Sequence, residues 1–397
     1  MRCFFVIFIC FILVSGCQRQ SVVNAELSQA NLVAKNKPVK LDPLYLNAME
    51  IVSSLDDRLL AAQVLISGID GNGTLLPHMK ELLEEIPVGG IMLFRFNINT
   101  ENENIRSLIN QLNTTITSKS DIPPFIAVDH EGGTVYRFRY NLAFLPSASF
   151  YWKLKETEEE IETIISRIEE ESYRSGLIIN DLGFNMNFAP VAEYLIEANQ
   201  VFLSHRSYGP CPLFTSLAAK AFVRGMKNAG ILCVAKHFPV SAGDDPHYFH
   251  SQLDMDKHEL DEIIFPFVEL IDYGVRGIMA AHTYIPMLDT KIASLSPFVM
   301  QNWLRDELGF NGIIISDDFT MAAAGGTGPY DLAVQSVAAG ADVILIWPRD
   351  LKLTHQALMQ ALEDGRLSRE RLTDAATRVI YEKLKMGLIE FNHTEEH

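Results

Sequence analysis

The chain has 397 residues, of which 48% are hydrophobic, enough for a large core. Its formal net charge is −17 and its Lys and Arg are scattered, which argues against nucleic acid as a partner. Five cysteines are too few for a disulfide framework in a chain of this size, and none is spaced with histidine as in a metal site.

Arg2 is followed by an apolar stretch, Cys3 to Val14, the layout of a secretory signal. The stretch is shorter than the roughly 20 residues a membrane span needs. It ends in Val14-Ser15-Gly16-Cys17, which resembles a bacterial lipobox. Residues 1–16 are therefore expected to be removed and Cys17 to carry lipid, anchoring an exported protein on the periplasmic or cell-surface side of a bacterial membrane. Residues 17–42 are polar and aperiodic and read as a flexible tether. The folded body is expected over 43–390, with a short tail at 391–397.

Within the body, short apolar runs alternate with amphipathic stretches. The strand-like runs are Ala62–Ile66, Gly90–Leu93, Phe125–Val128, Asn185–Phe188, Cys233–Ala235, Gly277–Ala280, Ile313–Ile315 and Val343–Ile346. Cys233 falls in such a run and reads as a buried thiol. Helices are expected over Thr157–Tyr173, where Ile161, Ile164, Ile165 and Ile168 form one stripe, and over Leu217–Ala229 and Asp256–Tyr273. Ser368–Lys385 closes the body, with Ser368 as its cap. Strands alternating with helices imply parallel pairing, and their apolar character implies cover on both faces. Eight such units predict an α/β fold, a single (β/α)8 barrel. The competing doubly wound sheet lacks a Gly-x-Gly-x-x-Gly turn at its first helix.

In such a barrel the site lies where the strands end. The residues found there are Asp129-His130-Glu131-Gly132-Gly133 with Arg137, then Glu193 with Arg206 beyond it, Lys236-His237-Phe238-Pro239, His282, and Asp317-Asp318. Carboxylates, imidazoles and cations without a Gly-rich phosphate loop suit a neutral, hydroxyl-rich ligand. A buried carboxylate among them can serve as nucleophile. Asp318 can instead cap the turn that follows.

Trp303 to Asp317, reading WLRDELGFNGIIISD, resembles the nucleophile signature of glycoside hydrolase family three. The stretches VDHEGG, NFAPV, RS at Arg206 and KHFP at Lys236 resemble its bacterial β-N-acetylglucosaminidase branch, and the resemblance spans about residues 50 to 388. It implies a retaining exo-β-N-acetylglucosaminidase that acts on a carbohydrate, with peptidoglycan fragments as the expected source, and it implies no cofactor. By the same resemblance Asp317 is the nucleophile, and Asp129, Arg137, Arg206, Lys236 and His237 contact the sugar. A D-x-H pair after the fifth strand supplies the acid/base, here Asp245-Pro246-His247, with the His transferring the proton and the Asp orienting it. His250 has Tyr248 two residues before it and so lacks the Asp partner. The chain departs from the branch in Val240–Gly243, in Pro246, in Glu193 where Asp is usual and in His130 where Gln is usual. Three alternatives stay open at this point: a β-glucosidase or xylosidase of the family, a phosphorylase, and a sugar-binding lipoprotein without activity.

Overall fold

The structure is a computed structural model, and it describes residues 42–138, 142–157, 159–243, 251–320 and 328–390. The signal, the tether with Cys17, the tail, and the pair Asp245 and His247 lie outside the described residues. Among the described residues no helix is long and apolar enough to cross a membrane.

The strands in chain order are β1 (Leu65–Ser67), β2 (Gly90–Met92), β3 (Phe125–Val128), β4 (Met186–Asn187), β5 (Leu232–Phe238), β6 (Ser251–Gln252), β7 (Gly277–Ala280), β8 (Thr283–Tyr284), β9 (Ile313–Ser316) and β10 (Ile344–Ile346). Eight of them form one parallel sheet in the order β10-β1-β2-β3-β4-β5-β7-β9. A parallel bridge between Ile315 and Val343 joins the last strand back to the β10 edge, closing a barrel. The short pair β6 and β8 lies outside this ring. The expected (β/α)8 architecture is thus the observed one.

Side chains alternate along each strand, so one parity faces the barrel axis and the other faces the helices. Ile66, Phe125, Ala127, Met186, Leu232, Val234, Ile313 and Ile315 pack together as the interior cluster. Leu65, Ile126, Val128, Ile278 and Ile314 belong to the larger layer between strands and helices. Cys233 sits in that layer, buried as expected, and burial pushes its thiol pKa up.

Several expected boundaries shift; the helix expected over Leu217–Ala229, for one, runs Pro212–Asn228. Ala62 and Gln63 end a helix, Asp57–Gln63, capped by the Asp56 side chain, and the first strand starts at Leu65. The stripe expected over Thr157–Tyr173 belongs to a helix running Ile161–Asp181, because its apolar face continues through Ile179. The single helix expected over Asp256–Tyr273 is two, Lys257–Ile263 and Phe265–Tyr273. Pro266, which has no N–H to give, opens the second. The last helix runs Arg369–Lys385 with Ser368 accepting from the Arg371 amide, as the cap predicts.

Candidate active site

The inward parity of three strands, extended one step past the sheet, reaches three charged residues. Phe125 and Ala127 face the axis, and Asp129 follows. Leu232 and Val234 face it, and Lys236 follows. Ile313 and Ile315 face it, and Asp317 follows. The interior column thus changes from apolar to ionic at the mouth, where the chain can admit water and ligand.

Lys236 is buried, and its Nζ lies 2.8 Å from Asp129 Oδ1 and 2.7 Å from Glu131 Oε1. Arg206 forks onto Glu131, Nε donating to Oε2 at 2.8 Å and Nη2 to Oε1 at 2.9 Å. Arg137 Nη2 reaches Asp129 Oδ2 at 3.4 Å. Burial works against the Glu131 charge, but Arg206 and Lys236 hold its carboxyl well below the usual carboxylate range. Burial likewise opposes the Lys236 charge, and Asp129 and Glu131 more than offset it, raising its pKa. Opposite charges in contact thus favour the ionised forms of Glu131 and Lys236.

The Glu-Gly-Gly turn that carries Glu131 requires both glycines. Gly132 and Gly133 have φ of 95° and 58°, and a Cβ on Gly132 would stand 2.2 Å from the Pro146 carbonyl oxygen. Asn187 pins the same turn, accepting from the His130 amide and donating to its carbonyl, both at 2.9 Å. The His130 side chain points away from the axis, donating from Nε2 to Ala143 O at 2.9 Å. Burial lowers its pKa to about 4, so it is a neutral spacer between strand and helix.

The pairing of β5 with β7 shifts register between Lys236 and Phe238, and this irregularity lets His237 line the cleft beside Lys236. Glu193 holds that ring. Its Oε1 lies 2.7 Å from His237 Nδ1 and accepts the His237 amide at 3.1 Å and the Ser241 hydroxyl at 3.0 Å. Its other oxygen accepts the Ser241 amide. A carboxylate only accepts, so Nδ1 carries a proton and Nε2 remains for a ligand.

Asp317 lines the cleft with His237, His282, Phe202, Ser241, Ser251, Ala281 and Thr283. Burial pushes its pKa up, but His237, His282, the Asp318 amide and Lys236 together outweigh burial, and the carboxyl stands below its ordinary value. Among the described residues its side chain accepts one hydrogen bond, from the Asp318 amide at 2.9 Å. Among the described residues Asp129, Glu131 and Glu193 each have a cation or an imidazole against them, whereas Asp317 forms no such pair. His282 donates from Nε2 to Asp318 O at 3.1 Å, and its Nδ1 accepts from Ser294 at 2.7 Å. Burial lowers its pKa.

The structure brings Asp129, Arg137, Arg206, Lys236, His237 and Asp317 to one mouth. Asp245 and His247 lie outside the described residues, but the flanks of their segment end here. Ser251 donates to the Ala242 carbonyl at 2.8 Å and meets the Thr283 hydroxyl at 2.9 Å. The sequence placed Glu131, Glu193 and His282 among the polar residues at the strand ends but assigned them no role. Their signal was present, since each follows an apolar strand run, but their partners lie dozens of residues away in the chain.

A larger surface hollow lined by Ser166, Glu169, Glu170, Tyr173 and Asn228 sits on the outer helices, away from this chemistry.

The chain matches the family described as Glycosyl hydrolase family 3 N terminal domain over residues 61–381. It is 33% identical to a β-hexosaminidase of Methylococcus capsulatus over 275 residues, 67% of this chain and 78% of that one. It is 34% identical to a β-hexosaminidase of Idiomarina loihiensis over 284 residues, 70% of this chain and 82% of that one. Among solved structures, a glycoside hydrolase family 3 β-N-acetylglucosaminidase from a Paenibacillus strain superposes with a TM-score of 0.78 at 28% identity, covering 87% of this chain and 65% of that one. NagZ from Neisseria gonorrhoeae, solved with N-trifluoroacetyl-D-glucosamine, superposes with a TM-score of 0.68 at 27% identity, covering 80% of this chain and 89% of that one.

Proposed function

The chain belongs to glycosyl hydrolase family 3, and from that membership we propose that it is an exo-β-N-acetylglucosaminidase working through a covalent glycosyl-Asp317 intermediate. The observation that carries this reading is the place of Asp317, which lines the cleft and, among the described residues, forms no ion pair. Asp129, Lys236, Arg206, Arg137 and His237 hold the hydroxyls of the terminal sugar. Their fixed charges are arranged before the substrate arrives, so little reorganisation is needed.

In the first step an Asp317 oxygen bonds to C1 of the sugar as the bond from C1 to the glycosidic oxygen breaks. His247 gives its proton to that departing oxygen, and Asp245 steadies the ring. In the second step water bonds to C1, its proton returns to His247, and the bond from C1 to Asp317 breaks. The configuration at C1 is inverted twice and so retained. Peptidoglycan fragments are the substrate source we favour, since an enzyme anchored through lipid on Cys17 would work on exported glycan.

The test is a fluorinated N-acetylglucosamine analogue that forms the intermediate and releases it slowly, followed by peptide mass spectrometry. Label is expected on Asp317. Label on another carboxylate, or none with a turning-over enzyme, overturns the assignment. Turnover of a chromogenic β-N-acetylglucosaminide at an unchanged rate with added phosphate is expected of a hydrolase. A sugar phosphate as product would make it a phosphorylase.

A further inference from the structure

The rim of the barrel divides into two arcs. Strands β3, β4, β5, β7 and β9 end in the charged and imidazole groups already described. The remaining arc, over the ends of β10, β1 and β2, carries three aromatic rings in a stack. Trp347, directly after β10, lies parallel to Phe94, two residues past β2, with centroids 4.7 Å apart and planes 10° apart. Phe96 continues the stack at 5.7 Å and 5°. Phe96 remains 48% exposed.

This stack is built rather than incidental. Gly68, directly after β1, lies beneath it: a Cβ there would stand 3.1 Å from the Phe94 ring and 3.3 Å from Pro348. Buried Asn97 accepts from the Phe94 amide at 2.9 Å and donates to Ile69 O at 2.9 Å and Gly71 O at 2.8 Å, tying the short helical turn Arg95–Ile98, with Phe94 at its start and Phe96 within it, to the loop after β1. Trp347 donates from its ring nitrogen to the Asp318 carboxylate. Asp318 in turn gives its amide to Asp317. The aromatic arc is therefore fastened to the residue beside the candidate nucleophile.

We propose that Phe96, Phe94 and Trp347 form the subsite for the sugar ring on the leaving-group side of the scissile bond. This rests on reading the mouth as a β-N-acetylglucosaminidase site. A pyranose with equatorial substituents shows C–H groups on its flat faces and hydroxyls around its edge. Such a ring covers an aromatic face while its hydroxyls stay in water. The ionic arc recognises hydroxyls and takes the terminal sugar against Asp317. The next unit leaves the cleft beside Asp317, and β10 is the strand next to β9 in the closed ring. Folding accounts for Phe94, which is covered on both faces. It does not account for a third ring held parallel with its outer side in water, which exposed apolar area disfavours.

The experiment compares the wild type, Phe96→Ala and Phe96→Trp on two substrates. One is the β-1,4-linked disaccharide of N-acetylglucosamine. The other is N-acetyl-β-glucosaminyl fluoride, whose leaving group has no ring. Phe96→Ala is expected to raise KM for the disaccharide about 3- to 10-fold and to leave kcat/KM for the fluoride unchanged, which also shows that the variant is folded. Phe96→Trp is expected to restore the disaccharide KM. Equal losses on both substrates, or none on the disaccharide, overturn the subsite while leaving the activity in place. A wild type that cleaves neither substrate overturns the activity reading and the subsite with it.

Discussion

Asp317 and Asp318 are adjacent carboxyls whose surroundings pull them apart. Burial is outweighed at Asp317 by the charges around it, and its pKa falls; at Asp318 burial prevails, and its pKa rises. Asp318 accepts the Thr320 amide at 2.9 Å and the Thr320 hydroxyl at 2.8 Å, and takes the Trp347 ring N–H, so its side chain organises the turn. Its service to Asp317 runs through the backbone amide, which a side-chain substitution leaves in place. Asp317→Asn is therefore expected to lower kcat by at least about a thousandfold. Asp318→Asn is expected to stay within about tenfold of the wild type, the scale of one altered hydrogen bond to a charged group. Steady-state kinetics on an aryl β-N-acetylglucosaminide separates the two, and equal losses would remove the distinction. Among the described residues the Glu193 carboxylate hydrogen-bonds to His237 and Ser241. Glu193→Gln keeps the size but turns one acceptor into a donor facing N–H groups, and should lower kcat/KM about 10- to 100-fold. Retained activity in that variant would mean the His237 ring needs no such hold.

At the scale of elements, the signature before Asp317 has two jobs. Phe298–Glu307 winds as a wide helix, with the Leu308 amide bonding to Trp303 O at 2.9 Å. From it Arg305 donates to Phe310 O at 3.1 Å and Gly312 O at 2.6 Å, and pairs with buried Asp342. Asp342 also accepts the Ile314 amide at 2.9 Å and an Arg371 donor at 2.9 Å. The signature thus clamps the base of β9 while its last residue stands at the mouth. Asp342→Ala leaves buried guanidinium groups without their anion and should cost about 3–5 kcal/mol of stability. Urea midpoints would show it, and a loss below about 1 kcal/mol would mean that water takes over the role. The arginine, glycine and aspartate of that stretch were legible as a pattern, but their division between clamp and catalysis was not. Strand positions were legible because each apolar run is short and buried on both faces. The first strand was misplaced because Ala62, Gln63 and Val64 are as buried at a helix end as in a strand, and burial alone carries no period there.

At the scale of the whole molecule, strand parity made the inner column legible. Asp129, Lys236 and Asp317 continue rows of inward residues, so their meeting follows from closing the barrel. Glu131, Glu193 and His282 were legible as strand-end residues, but their partners were not, because those come from register shifts and loops that no local pattern encodes. The opposite end of the barrel holds a charge with no counterpart in the catalysis. Lys383 on the last helix is fully buried, with Nζ 2.9 Å from Gln63 Oε1 and 5.3 Å from the Phe125 ring centre, joining residues from the two ends of the body. Burial lowers its pKa from 10.5 to about 7. Between those values the unfolded chain binds a proton that the folded chain does not, so stability rises with pH across that window. As pH falls towards 7 that stability is lost, and below it the folded barrel carries a buried ammonium. Lys383→Met removes the group and is expected to stabilise the protein at pH 6 by about 1–4 kcal/mol, as when buried ionic groups give way to apolar ones. The gain should shrink towards pH 9, where the neutral amine of the wild type still donates to Gln63 and the variant leaves that oxygen unpaired. Denaturant titrations of both proteins at the two pH values measure the difference directly, and a gap that does not change with pH would show that Lys383 keeps its proton throughout.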